Sequence, residues 1–96
     1  MYAVLVTVEI EAGSAEQATE LLKGQVIPRV RAADGFVRGT WTRIDEGDSI
    51  TGRSVIVFDT EENARVAAQA ARDEGPPPGA PVTVRSVDVA EVVAEA

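Results

Sequence analysis

Few residues in this sequence can do chemistry, and most of those are arginines. Arg38, Arg43, Arg53 and Arg85 all fall in stretches that read as β-strands. A guanidinium presents a rigid fork of donors, so on a strand it can clamp an anionic or quinone-like oxygen. The same side chains also serve as guards on an edge strand, or as partners for Asp45, Asp48 and Asp88. Trp41 is the only tryptophan and stands two residues from Arg43 and three from Arg38. It offers either a flat wall for an aromatic ligand or ordinary packing in a core or subunit interface, where tryptophan is common. Tyr2, the only tyrosine, and the apolar ring of Phe58 complete the candidate ligand-facing set.

The absent residue types narrow the chemistry further. With no cysteine there is neither a disulfide framework nor a thiolate nucleophile. With no histidine the commonest general base and metal ligand are missing. Ser14, Ser49, Ser54 and Ser86 therefore have nothing to activate them as in a Ser-His-Asp hydrolase. The acidic run Asp45–Asp48 is too short for a calcium loop and reads as a turn. Glu61 and Glu62 suit the positive end of a helix, and Glu91 and Glu95 read as a solvated tail. The glycines near Gly75 and Gly79 lack the spacing of a phosphate cradle. The expectation is a protein with no metal and no cofactor.

Charge and hydropathy exclude other classes. The net charge of −7 argues against a nucleic-acid binder, which needs a basic stripe. No apolar run approaches the roughly 20 residues of a membrane span. "MYAVLVTVEI" has no positive residue before its apolar part and no cleavage pattern. A cytoplasmic location is expected.

These groups must be positioned by a small set of elements. Tyr2 to Ile10 alternates as a strand. Ser14 with Gln17 reads as a capping box, and an apolar stripe from Ala15 to Val30 predicts a helix over Ser14–Ala33, disturbed near Val26–Ile27 by Pro28. Gly35 ends it. Phe36 to Ile44 and Ile50 to Phe58 read as a hairpin. If its loop spans Asp45–Ser49, Ile44 pairs with Ile50 and Trp41 sits opposite Arg53, a cation–π contact. A tighter turn at Glu46-Gly47 shifts the pairing by one and reverses the faces. The first register is the expectation. Asp59 or Thr60 caps a second helix over Thr60–Glu74, whose Ala64, Ala67, Ala68 and Ala71 allow close approach to a sheet. "GPPPGAP" is a stiff connector, and a fourth strand runs from Val82 to about Val93.

The order β-α-β-β-α-β predicts an α+β, ferredoxin-like domain over residues 1–96. Its four-stranded antiparallel sheet carries both helices on one face. Two helices cover only that face, yet the strands read as apolar on both parities. Leu5 stands against Val4 and Val6, Val55 and Val57 against Ile56 and Phe58, and Val87 and Val89 against Val82 and Val84. A second copy of the chain is the expected cover, burying about 800 Å² per partner. The last residues of the fourth strand are expected to reach the other subunit.

The stretches "EAGSAEQATELLKGQVIPRVRAADGFVRGTW" and "VIVFDTEENARVAA", with the hairpin between them, resemble the antibiotic-biosynthesis-monooxygenase-like branch of the dimeric α/β-barrel superfamily. The likeness spans nearly the whole chain. It rests on Gly13 after strand one, Gly35-Phe36 opening strand two, and Phe58 closing strand three before an acidic helix start. It implies a dimeric α/β barrel joined through its sheets. In some members it implies cofactor-independent oxygenation of polycyclic aromatics, and in others heme degradation. The heme-degrading branch uses an asparagine on strand one, a tryptophan ending strand three and a histidine. Val6 and Phe58 stand at the matching positions here, so no heme is expected.

Two functions follow as expectations. One is a homodimer that binds or oxidises a small aromatic or quinone-like molecule near Trp41 and one or two of Arg38, Arg43, Arg53 and Arg85, with Tyr2 and Phe58 as further candidates. The other is a non-catalytic dimer whose cleft is filled by its own side chains. An open cleft of roughly 300 Å³ or more, lined by Trp41, Tyr2 or an arginine, separates the first from the second.

Overall fold

The computed structural model describes all residues from Met1 to Ala96. Strand β1 (Tyr2–Ile10) leads into helix α1 (Ala15–Leu21), a π-helical turn (Leu22–Val26) and helix α2 (Ile27–Arg31). Strands β2 (Phe36–Asp45) and β3 (Ile50–Phe58) form the hairpin, and helix α3 (Glu61–Glu74) precedes β4 (Val82–Glu91). The sheet runs β2-β3-β1-β4 with every pairing antiparallel. Both expected helical stretches and the ferredoxin-like order are present. No helix is long and apolar enough to cross a membrane.

Pro28 shapes the first helical stretch. It has no N–H, so the carbonyl of Gly24 receives no helical bond from it. The helix widens just before it, and the Ile27 N–H reaches back five residues to the Leu22 carbonyl. Ser14 holds the N-cap position, but its side chain makes no cap bond, so the expected capping box does not form. Helix α3 starts more firmly. Thr60 Oγ1 accepts from the Asn63 N–H at 3.1 Å, while Asp59 accepts from the Asn63 side chain at 2.9 Å.

The closed core sits at the Tyr2–Phe58 end of the sheet. Val4, Ile56, Phe58 and Val87 pack there against Ala64 and Ala68, which are wholly buried. Alanine at these two positions lets α3 lie close on the sheet. Phe36 meets Phe58 edge to face at 6.3 Å, and Arg72 ties α3 to β4 through the Val87 carbonyl at 2.8 Å.

Two expectations need correction. The hairpin closes with Asp45 opposite Ile50, so Trp41 faces Ser54 rather than Arg53. The loop makes the difference. The Glu46 N–H bonds the Ser49 carbonyl, Gly47 takes φ +82°, and the Gly47 N–H bonds the Asp45 carboxylate. Four residues turn the chain, and the pairing shifts by one. Strand β4 also carries a bulge where its register against β1 slips at Arg85. The slip brings Val82, Val84, Val87 and Val89 to one side, opposite Ile10, Val8, Val6 and Val4. The change of parity in β4 is this bulge, not a second apolar face.

The remaining face is mixed. Leu5 and Val55, directly paired, stay 37 % and 45 % exposed. Next to them Ala3 and Val57 are buried. Beyond β4 the Val92 N–H bonds the Met1 carbonyl, and Glu95 forms an ion pair with Arg38 on the far edge strand. The end of the chain therefore crosses its own sheet from β4 to β2. In this single chain it does not extend away toward another subunit.

Candidate functional site

The half of the sheet away from the closed core is built from short side chains. Gly52, Ser54, Val6, Val8 and Val84 face Ala67, Ala70 and Ala71 of α3 and the α1–α2 segment. They do not fill the gap, and a largely apolar cavity of about 710 Å³ remains between sheet and helices. The π-helical turn forms part of its wall through Leu22, Lys23 and Val26.

Trp41 and Arg43 enter this cavity from β2. Alternation puts both on the helix-facing side, with Trp41 opposite Ser54 and Arg43 opposite Gly52. The indole lies across Gly39, where a Cβ would come within 2.6 Å of Cη2. Arg43 stretches to the first helix. Its Nη1 lies 3.3 Å from Thr19 Oγ1 and 3.5 Å from the Ala15 carbonyl oxygen. Thr19 Oγ1 in turn donates to the Ala15 carbonyl at 3.0 Å.

The other candidates lie elsewhere or point elsewhere. Arg53 borders the cavity, but its place opposite Thr7 and Thr42 turns its side chain to the open face of the sheet. Arg38 pairs with Glu95 and Arg85 with Glu9. Phe58 is 1 % exposed in the closed core. Tyr2 packs against that core, with its hydroxyl 3.5 Å from Glu91. The negative charges of Glu61 and then Glu91 push its phenol above the ordinary tyrosine value. No three carboxylates converge as a metal site needs.

No family model and no curated protein matches this sequence. Solved structures do. The heme-degrader MhuD from Mycobacterium tuberculosis, with two hemes in its active site, superposes with a TM-score of 0.75 at 18 % identity, covering 100 % of this chain and 99 % of that one. A dimeric ferredoxin-like protein from an uncultured marine organism superposes at 0.63 with 12 % identity, covering 99 % and 97 %. A Streptomyces coelicolor monooxygenase in complex with Nanaomycin D superposes at 0.54 with 16 % identity, covering 99 % and 91 %.

The chain has the ferredoxin-like fold of these structures. At these identities the likeness speaks to the shape of the backbone alone. Within this fold, sequence reasoning missed Lys23, Thr19 and Ser54 as cavity residues. Thr19 had a readable signal, since it lies four residues after Ala15 on one helical face. Lys23 had the same signal, since it lies four residues after Thr19.

Proposed function

We propose that this chain works as a homodimer that binds a small aromatic or quinone-like molecule in the cavity between its sheet and helices. The cavity itself carries the reading. At about 710 Å³ it exceeds the roughly 300 Å³ that a small-molecule site needs. Its own side chains leave it open, which goes against a self-filled cleft. Trp41 supplies a flat apolar surface and Arg43 a fixed donor at the same wall. The fold neighbours support the reading, one holding hemes in its active site and another Nanaomycin D.

Heme itself does not fit the residues present. The lining offers no imidazole, thiolate or phenolate to an iron, and Tyr2 lies at the other end of the sheet beside Glu91. Oxidation of a bound molecule by oxygen, as a finer form of the proposal, would rest on the ligand's own acidity. The cavity then holds the ligand in place and Arg43 stabilises an oxyanion.

The dimer rests on the exposed Leu5–Val55 pair at the centre of the open sheet face. A dimeric protein among the fold neighbours agrees with it.

Trp41 is the only tryptophan, so its fluorescence reports on the cavity directly. Titration with polyhydroxylated anthraquinones and naphthoquinols should quench it saturably and raise the melting temperature. Oxygen uptake with the same panel tests turnover. Absence of quenching and of any melting shift across the panel would overturn the binding reading.

A further inference from the structure

The charges around the cavity run against the charge of the chain. Acidic residues outnumber basic ones sixteen to nine overall. Along the cavity the proportion reverses: the side chains of Lys23, Arg29 and Arg43 stand against one carboxylate, Glu74. Glu74 is already engaged at 2.9 Å by Arg29.

The arginines elsewhere are mostly satisfied within the chain. Arg38, Arg65 and Arg85 each hold a carboxylate, and Arg72 donates to the Val87 carbonyl. Arg43 holds none. Its guanidinium rests at 3.3 and 3.5 Å from two neutral oxygens, leaving most of its donors unused. Lys23, the only lysine in the sequence, also makes no ion pair and lines the same cavity. In a chain rich in carboxylates, two unneutralised cations at one apolar cavity mark a place for negative charge that the protein does not supply.

We infer that the ligand is a planar aromatic molecule bearing a carboxylate. Its ring system lies against Trp41, and its carboxylate is held at the mouth by Arg43 with Lys23 adding long-range attraction. This rests on the proposed binding function and names the chemistry that site selects. A carboxylate suits the arrangement, because the guanidinium fork matches its two coplanar oxygens. Arg43 is exposed, so the anion keeps part of its hydration and escapes the cost of full burial. Arg29 is spent on Glu74, and the Arg53 side chain lies on the other face, so neither competes for the role.

Anthraquinone-2-carboxylate and its uncharged carboxamide test this as a matched pair, read by Trp41 quenching with the full chain. The carboxylate should bind at least tenfold more tightly at low salt. Arg43→Gln should bring the two within about threefold by weakening the carboxylate alone. Lys23→Gln should cut carboxylate affinity two- to fivefold and flatten its salt dependence. A melting curve for each variant separates lost binding from lost folding. Equal affinity of the pair for the unaltered chain, or an Arg43→Gln variant that keeps the preference, overturns the inference and leaves aromatic binding standing. If neither compound binds, both the inference and the proposed function fail.

Discussion

The indole of Trp41 lies against Gly39, two residues earlier on the same strand and the same face. A Cβ on Gly39 would sit 2.6 and 2.7 Å from Cη2 and Cζ3 of the ring. Gly39 thus sets how the tryptophan meets the cavity. Gly39→Ala must push the indole toward the cavity or strain the strand, which costs about 1–3 kcal/mol. The tryptophan emission maximum should shift, chemical denaturation should begin earlier, and aromatic ligands should bind more weakly.

Gly35 should be still less replaceable. It takes φ +76°, and a Cβ there would collide with the Asp59 carboxylate and the Asn63 amide. The left-handed backbone alone costs a larger residue about 1–2 kcal/mol. The collision adds to this by breaking the Asp59–Asn63 bond beside the α3 cap. Gly35→Ala should lower the denaturation midpoint more than Gly39→Ala does, with tryptophan emission in the folded state unchanged.

The dimer is tested at the centre of the open face. Leu5→Asp or Val55→Asp puts a carboxylate into a pair that is apolar and half exposed in the single chain. In an interface either charge is buried without a partner, and sedimentation should show monomers at micromolar concentration. On a free surface neither change would matter much. Sedimentation of the unaltered protein as a monomer would contradict the proposed assembly.

Tyr2 gives a pH prediction with a clear sign. Glu61 and Glu91 disfavour the phenolate, so the folded chain keeps this proton to higher pH than the unfolded chain, whose value is near 10.0. The stabilising contribution is complete below that value and is lost as pH rises through the folded one. As the only tyrosine, Tyr2 should titrate by ultraviolet difference absorbance with a midpoint above 10.0. Glu61→Gln and Glu91→Gln should each lower that midpoint.

The elements were legible because periodicity and punctuation agree along most of the chain. β1 and β3 read as apolar stretches bounded by turn residues, Thr60 precedes an acidic helix start, and Gly35 and Gly75 close the two helical stretches. What escaped turned on single-residue slips. The hairpin register depended on whether Asp45 belongs to the loop or the strand, and that one residue decided whether Trp41 meets Arg53 or Ser54. The Arg85 bulge made one apolar face of β4 read as two. Of the candidate site residues, Trp41 and Arg43 reach the cavity together because both are odd-numbered on β2. Arg38 lies on the opposite parity, and Phe58 and Tyr2 belong to the closed end of the sheet. Lys23 escaped because a lone lysine on a helix reads as solvated surface, although it stands four residues after Thr19.

Mapping a bound aromatic carboxylate onto the protein by amide and indole chemical shifts tests the central claim most directly. With anthraquinone-2-carboxylate added stepwise, the Trp41 indole N–H and the backbone amides of Lys23, Val26, Ala67 and Ala71 should move together along one saturable curve. The amides of Leu5 and Val55 should stay in place. Shifts confined to the Leu5–Val55 face, or no saturable shift at Trp41, would contradict a ligand site between the helices and the sheet.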